Sequence, residues 1–242
     1  MYVDNSLYSN DINTIMEYNI SQLVKDVRVC LDENDVQNIL LASEANTLQL
    51  DDIIKSKIGE AIDGVLTSAP LELLGIGVEA TGDGIAVEWE DGNIADDGEL
   101  RMCSIARPED YLRLVGAKMP DWDYVVVEPI SMYSDEYKMQ KSRYSGIKGN
   151  PQRPIVAEVV RGSGCYIELY TSRSREIEFV RYIPRTSVQE SSVSVDIPHA
   201  SLYRVIVYQI AGLVCVTLHE AEHAQTLFGI AEGLLASGEA KQ

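Results

Sequence analysis

Hydrophobic positions change period twice along this chain. Up to about residue 75 they recur at helical spacing. From about residue 80 they alternate or run in short blocks, and from about residue 198 the helical spacing returns. The clearest stripe lies in LDDIIKSKIGEAIDGVLTSAP, where Ile54, Ile58, Ala61, Ile62, Val65 and Leu66 fall at i, i+4, i+7, i+8, i+11 and i+12. Such spacing puts all six on one face of an amphipathic helix. Asp51 and Asp52 favour a helix start there, and Pro70 a stop. Another helix is predicted over 32–45, DENDVQNILLASEA, with Val36, Ile39 and Leu40 apolar and Asp32 or Asp35 as its cap.

The middle third reads as strands and turns. GIAVEWED and GELRMCSIA predict two strands, separated by the acidic loop EDGNIADDGE. RPEDYLRLVGAKMPDWDYVVVEP predicts a helix start at Pro108, a short turn through Tyr111 and Leu112, and a strand over Tyr124–Val127. The polar, tyrosine-containing segment 131–154 predicts a short helix in its first half and a loop in its second. PIVAEVV and CYIELYTS flank Arg161–Gly164 and predict a hairpin with a three- to four-residue turn. EIEFVRYIP would add a third strand, with Ile177, Phe179 and Arg181 on one face, before a Ser/Val-rich linker over 186–196. Closing helices follow from about Pro198 to Leu235, with a break expected near Gly229.

Helices, then strands, then helices argue for an α+β chain, its N-terminal and C-terminal helices packed together with a central antiparallel β insertion. The expected divisions are 1–78 (helical), 79–185 (β-rich insertion with its hairpin) and 186–242 (linker and helices), the last sharing a domain with the first.

Charge adds a functional constraint. The net charge is −18, and residues 1–100 hold 21 acids against 4 bases, whereas 101–242 hold 17 against 16. An acidic half repels phosphate, which disfavours ordinary wrapping of nucleic acid. It suits a surface that DNA passes without sticking, or one that docks a basic partner. The apolar run Leu202–Leu218 is interrupted by Arg204 and Gln209, and no membrane association is expected. The start MYVDNSLYSNDIN has neither the basic nor the apolar part of a secretory signal, so assembly in the cytoplasm is expected. Cys30, Cys103, Cys165 and Cys215 show no paired spacing and are expected to be buried thiols.

One motif carries metal chemistry in its spelling. His219-Glu220-Ala221-Glu222-His223 reads H-E-x-x-H, which on a helix puts two histidines on one face to hold zinc, with Glu220 as general base. Its surroundings argue against a peptidase. Glu222 places a carboxylate in a turn that faces a packed core in such enzymes. His199 is the only other histidine, and only 19 residues follow His223. Cys215, His219 and His223, at i, i+4 and i+8, could instead share a helical stripe and a structural metal. The simpler expectation is a packing face, with Tyr208, Gly212, Val216, Thr226 and Ile230 beside the histidines. There is no G-x-S-x-G, Walker loop or G-x-G-x-x-G, so neither an enzyme nor a cofactor is expected.

Residues 105–170 carry a resemblance. IARPEDYLRLVGAKMPDWDYVV, SDEYKMQKSRYSGIKGNPQRPIVAEV and CYIELYTS resemble head-to-tail connector (adaptor) proteins of tailed bacteriophages, especially ring proteins of crAss-like and podovirus-type phages. The shared features are a Pro-acid-acid-aromatic-Leu-Arg-Leu turn, a tryptophan, a polar segment, and Arg153-Pro154 entering a hairpin. The resemblance implies a structural virion protein, commonly twelve copies in a ring beneath the portal, that links head to tail and continues the DNA channel. Its implied partners are copies of itself, the portal protein and further tail or ring proteins, with genomic DNA passing through unbound. On that reading Glu88, Glu90, Asp91, Asp96, Asp97 and Glu99 are candidates to face the lumen. Tyr144, Lys148, Arg153, Tyr208 and Val216 are candidates for portal or subunit contacts, and the loop 142–153 or the first 20 residues for insertion into the portal. The competing readings are an H-E-x-x-H zinc peptidase using His219, Glu220 and His223, and an acidic cytosolic adaptor that binds a basic protein.

Overall fold

The elements follow the two periods. A computed structural model describes residues 16–33, 44–80, 87–91, 101–142, 144–189 and 191–239. In chain order they form β1 (Met16–Asn19), α1 (Ile20–Glu33), α2 (Glu44–Ser68), β2 (Val78–Glu79), β3 (Val87–Asp91), β4 (Arg101–Ala106), β5 (Tyr111–Lys118) and β6 (Ile130–Ser131). Then come α3 (Asp135–Gln140), β7 (Ile155–Arg161), β8 (Gly164–Ser172), β9 (Phe179–Pro184), β10 (Ser194–Ile197), α4 (Ala200–Thr217) and α5 (Ala221–Glu239). The chain is therefore α+β, its sheets antiparallel except where the two-residue β6 runs parallel to β7. It divides into a helical unit, residues 1–75 with 185–242, and a β unit, residues 76–184.

In the helical unit, α4 packs against α1, α2 and α5. The six-residue stripe on α2 is buried throughout: Ile54, Ile58, Ala61 and Ile62 are fully enclosed, and Val65 and Leu66 nearly so. Each large aliphatic side chain so buried contributes about 1.5–3 kcal/mol of transfer free energy. The helix starts earlier than its acidic pair suggests, because Asp51 serves as ion-pair partner to Arg28 on α1 (2.7 Å) and not as a cap. It ends at Ser68, just before Ala69 and Pro70. Most of the predicted helix over 32–45 lies outside the described residues. α4 is long and apolar enough to cross a bilayer by composition, but half of it is buried inside this unit, as a core helix would be.

Short strands close the helical unit. The 186–196 stretch, expected as a plain linker, ends in β10, which pairs antiparallel with β1 from Met16↔Ile197 to Asn19↔Ser194. Thr186 N–H donates to Asp63 Oδ1 at 2.8 Å, fixing the same stretch to α2. Tyr18 stacks on Tyr203, and the Tyr203 hydroxyl donates to Asp26, joining α4 to α1 and β1.

The β unit contains a five-stranded sheet, β3-β4-β8-β7-β6, and a three-stranded sheet, β2-β9-β5. Alternation along the strands puts Cys103, Ile105, Val156, Ile167 and Leu169 of the larger sheet in one core with Leu114, Ala117, Val180 and Tyr182 of the smaller. Trp122 is buried in that core, and its indole N–H donates to the Thr171 carbonyl at 3.0 Å. On the other face of the larger sheet, Tyr137 of α3 packs with Met102, Ala157, Val159 and Tyr170. Ser134 caps α3, accepting from Tyr137 N–H, which explains why the polar segment is helical at that point.

Several local expectations are corrected. The stretch after Pro108 is strand β5, because Tyr111, Leu114 and Ala117 reach the core through two irregularities in the ladder with β9. Tyr124–Val127 forms no strand: only Val126 pairs, exchanging both backbone hydrogen bonds with Ala117. The β7–β8 turn has two residues, Gly162 and Ser163, with Gly162 at φ +58° as a type II′ turn demands of its first central residue. EIEFVRYIP joins the other sheet, as β9. Phe179 and Arg181 share a face there, the guanidinium 4.6 Å from the ring centroid, while Ile177 packs toward the core.

Candidate interaction surfaces

The H-E-x-x-H segment is an interhelical turn. α4 ends at Thr217 and α5 begins at Ala221, so the chain breaks inside the motif rather than near Gly229. Glu220 N–H donates to the Cys215 carbonyl at 2.9 Å and His219 N–H to the Val216 carbonyl at 3.1 Å. Those two bonds are the paired closure of a Schellman C-cap, in which the residue past the cap adopts the left-handed conformation. His219 is that residue, at φ +67°. Glu220 then opens α5, its carbonyl accepting from Ala224 N–H. His223 lies in the first turn of α5, its Nδ1 3.5 Å from Glu220 Oε2.

His219 and His223 therefore belong to different elements and share no helix face. The i, i+4, i+8 stripe from Cys215 ends at Thr217. Cys215 itself is fully buried, its thiol pushed up to about 11 by burial first and by the Glu220 carboxylate second. His199 is occupied too: it caps α4, with Nδ1 accepting from Ser201 N–H at 3.2 Å. All three histidines thus sit at helix ends. Among the described residues no group of three or more His, Cys, Asp or Glu side chains could hold a metal ion. Val216 is exposed beside the turn, and Tyr208 is half-buried on α4.

The lumen candidates are only partly described. Glu88 is exposed on β3, opposite Ser104 of β4, and the backbones of Glu90 and Asp91 continue that edge strand. Asp96, Asp97 and Glu99 lie outside the described residues, as do 15 of the first 20 residues proposed for insertion, the remainder forming β1 and the start of α1.

The contact candidates of the β unit cluster along one segment. Between Tyr137 and Ala157 there are five bases (Lys138, Lys141, Arg143, Lys148, Arg153) and no acid. Lys138 pairs with Asp135 at 2.7 Å, and the Lys141 ammonium lies 5.0 Å from the Tyr137 ring centroid. Lys148 and Arg153 have no carboxylate partner among the described residues. Large apolar side chains stand exposed beside these bases: Tyr144 at 76%, Tyr133 at 80%, and also Met139 and Ile147. An adjacent groove of about 310 Å³ has apolar walls from Tyr124, Val125 and Val127 and mixed charge from Glu128, Glu136 and Arg153.

A second cleft of about 230 Å³ lies beside β6 and β7 and includes Arg107, Met132, Tyr133 and Glu158. Tyr111 donates its hydroxyl to Glu158 at 2.5 Å, and burial followed by that carboxylate pushes the phenol well above its ordinary range. The helical unit has its own groove of about 300 Å³, between α2, α4 and α5, floored by Val65, Val205 and Ala231. Glu232 lies on its rim, with no Lys or Arg in the lining.

A scan against protein-family models finds no match for this chain, and a search of curated proteins finds none either. The residues of the 105–170 resemblance therefore have to be judged by their own surroundings.

Sequence reading missed one interior feature. Glu168 is fully buried on β8, where it accepts from the Tyr170 hydroxyl and pairs with Arg161. The alternation of CYIELYTS places Glu168 and Tyr170 on one face. Which face α3 covers is decided by a contact between residues about 30 positions apart, invisible in a local pattern.

Proposed function

We propose that this chain is an assembly protein of a virion, a ring-forming connector beneath the portal that continues the DNA channel from head to tail. The observation that carries the proposal is the surface along 133–153, where exposed tyrosines, Met139 and Ile147 alternate with bases. Exposed tyrosine, methionine and arginine are enriched at protein–protein contacts, and a cluster of apolar side chains left in water marks such a site. The stretch falls within the 105–170 motifs that resemble connector proteins. A net charge of −18 fits a conduit that DNA crosses without adhering. Twelve copies, the portal as upper partner and a place at the head–tail junction follow from the resemblance. An acidic adaptor remains the competing reading.

The test is direct. The purified chain, alone and mixed with a portal protein from the same genome, is imaged by negative-stain electron microscopy and weighed by mass photometry. A closed ring with a central hole, free or seated on the portal, is expected. A chain that stays monomeric and ignores the portal overturns the proposal.

A further inference from the structure

We draw no further inference here: the strongest candidate, the groove of the β unit walled by Tyr124, Val125 and Val127 beside the start of β7, carries no proposal, because its charged residues Glu128, Glu136 and Arg153 are of both signs and nothing in the structure shows what covers it.

Discussion

The two units solve the problem of burial in different ways. Among the described residues, all five buried polar or charged side chains (Ser104, Gln140, Glu168, Thr171 and Ser172) lie in the β unit. Four of them have partners: Gln140 accepts from Gly149 N–H, Thr171 donates to the Gly149 carbonyl, Ser172 donates to Asp121, and Glu168 meets Arg161 and Tyr170. The buried side chains of the helical unit are apolar, and its polar groups cluster at helix ends and between helices near the surface. Aliphatic packing tolerates exchange of similar volumes, whereas a buried polar network tolerates no missing partner. The β unit should thus be the more sensitive to single polar substitutions, and the helical unit to changes of shape.

The largest effect expected from this contrast is at the Arg161–Glu168 pair. Arg161→Met leaves a fully buried carboxylate with only Tyr170, and the loss of stability should be about 3 kcal/mol or more. Pairing it with Glu168→Leu should recover most of the loss, because a hydrophobic pair of similar volume requires no desolvation of charge. Urea unfolding of both variants measures this. A single variant as stable as wild type would show that the β unit does not depend on its buried polar groups.

A smaller effect tests the helical unit by shape. A Cβ at Gly212 of α4 would lie 2.4 Å from Cε1 and 2.7 Å from Cδ1 of Phe228 on α5, inside contact distance. Gly212→Ala should cost about 2 kcal/mol in overpacking and regain about 1 in helix propensity, a net loss of about 1 kcal/mol. In a Phe228→Ala background the sign should reverse, leaving only the propensity gain. A double-mutant cycle by thermal unfolding reads the coupling. Additive effects would mean that the α4–α5 packing yields without cost.

What the sequence revealed depended on how local each cause is. The α2 stripe was legible because one helix face repeats within five turns, and the partners it packs on need not be known. The β7–β8 hairpin was legible from two alternating runs around a glycine-containing turn. β5 was not, since Pro108 and the acids after it imitate a helix start, and only the pairing with β9, some 70 residues away, makes Tyr111–Lys118 a strand. β1 and β10 were hidden for the same reason: four-residue strands far apart in sequence show no period of their own. Of the candidate surface, the charges were legible. The exposure of Tyr133 and Tyr144 was not, because a tyrosine between polar residues fits a core as well as a surface.

The smallest effect runs in the opposite direction and concerns the residue that first suggested zinc. A side chain held at φ +67° costs about 1 kcal/mol relative to glycine, although histidine bears this conformation better than most residues. Helices commonly end here with glycine, and its absence made the α4–α5 break unreadable, leaving the histidines apparently on one helix. His219→Gly should therefore stabilise the protein by about 0.5–1 kcal/mol, with an unchanged circular dichroism spectrum. Thermal unfolding with and without added zinc checks it. If His219 were a metal ligand, the same substitution would remove a bond and lower stability in the presence of zinc. A fall in unfolding temperature on His219→Gly that appears only with added zinc would thus restore the metal reading, whereas a rise leaves His219 as the cap that turns the chain from α4 into α5.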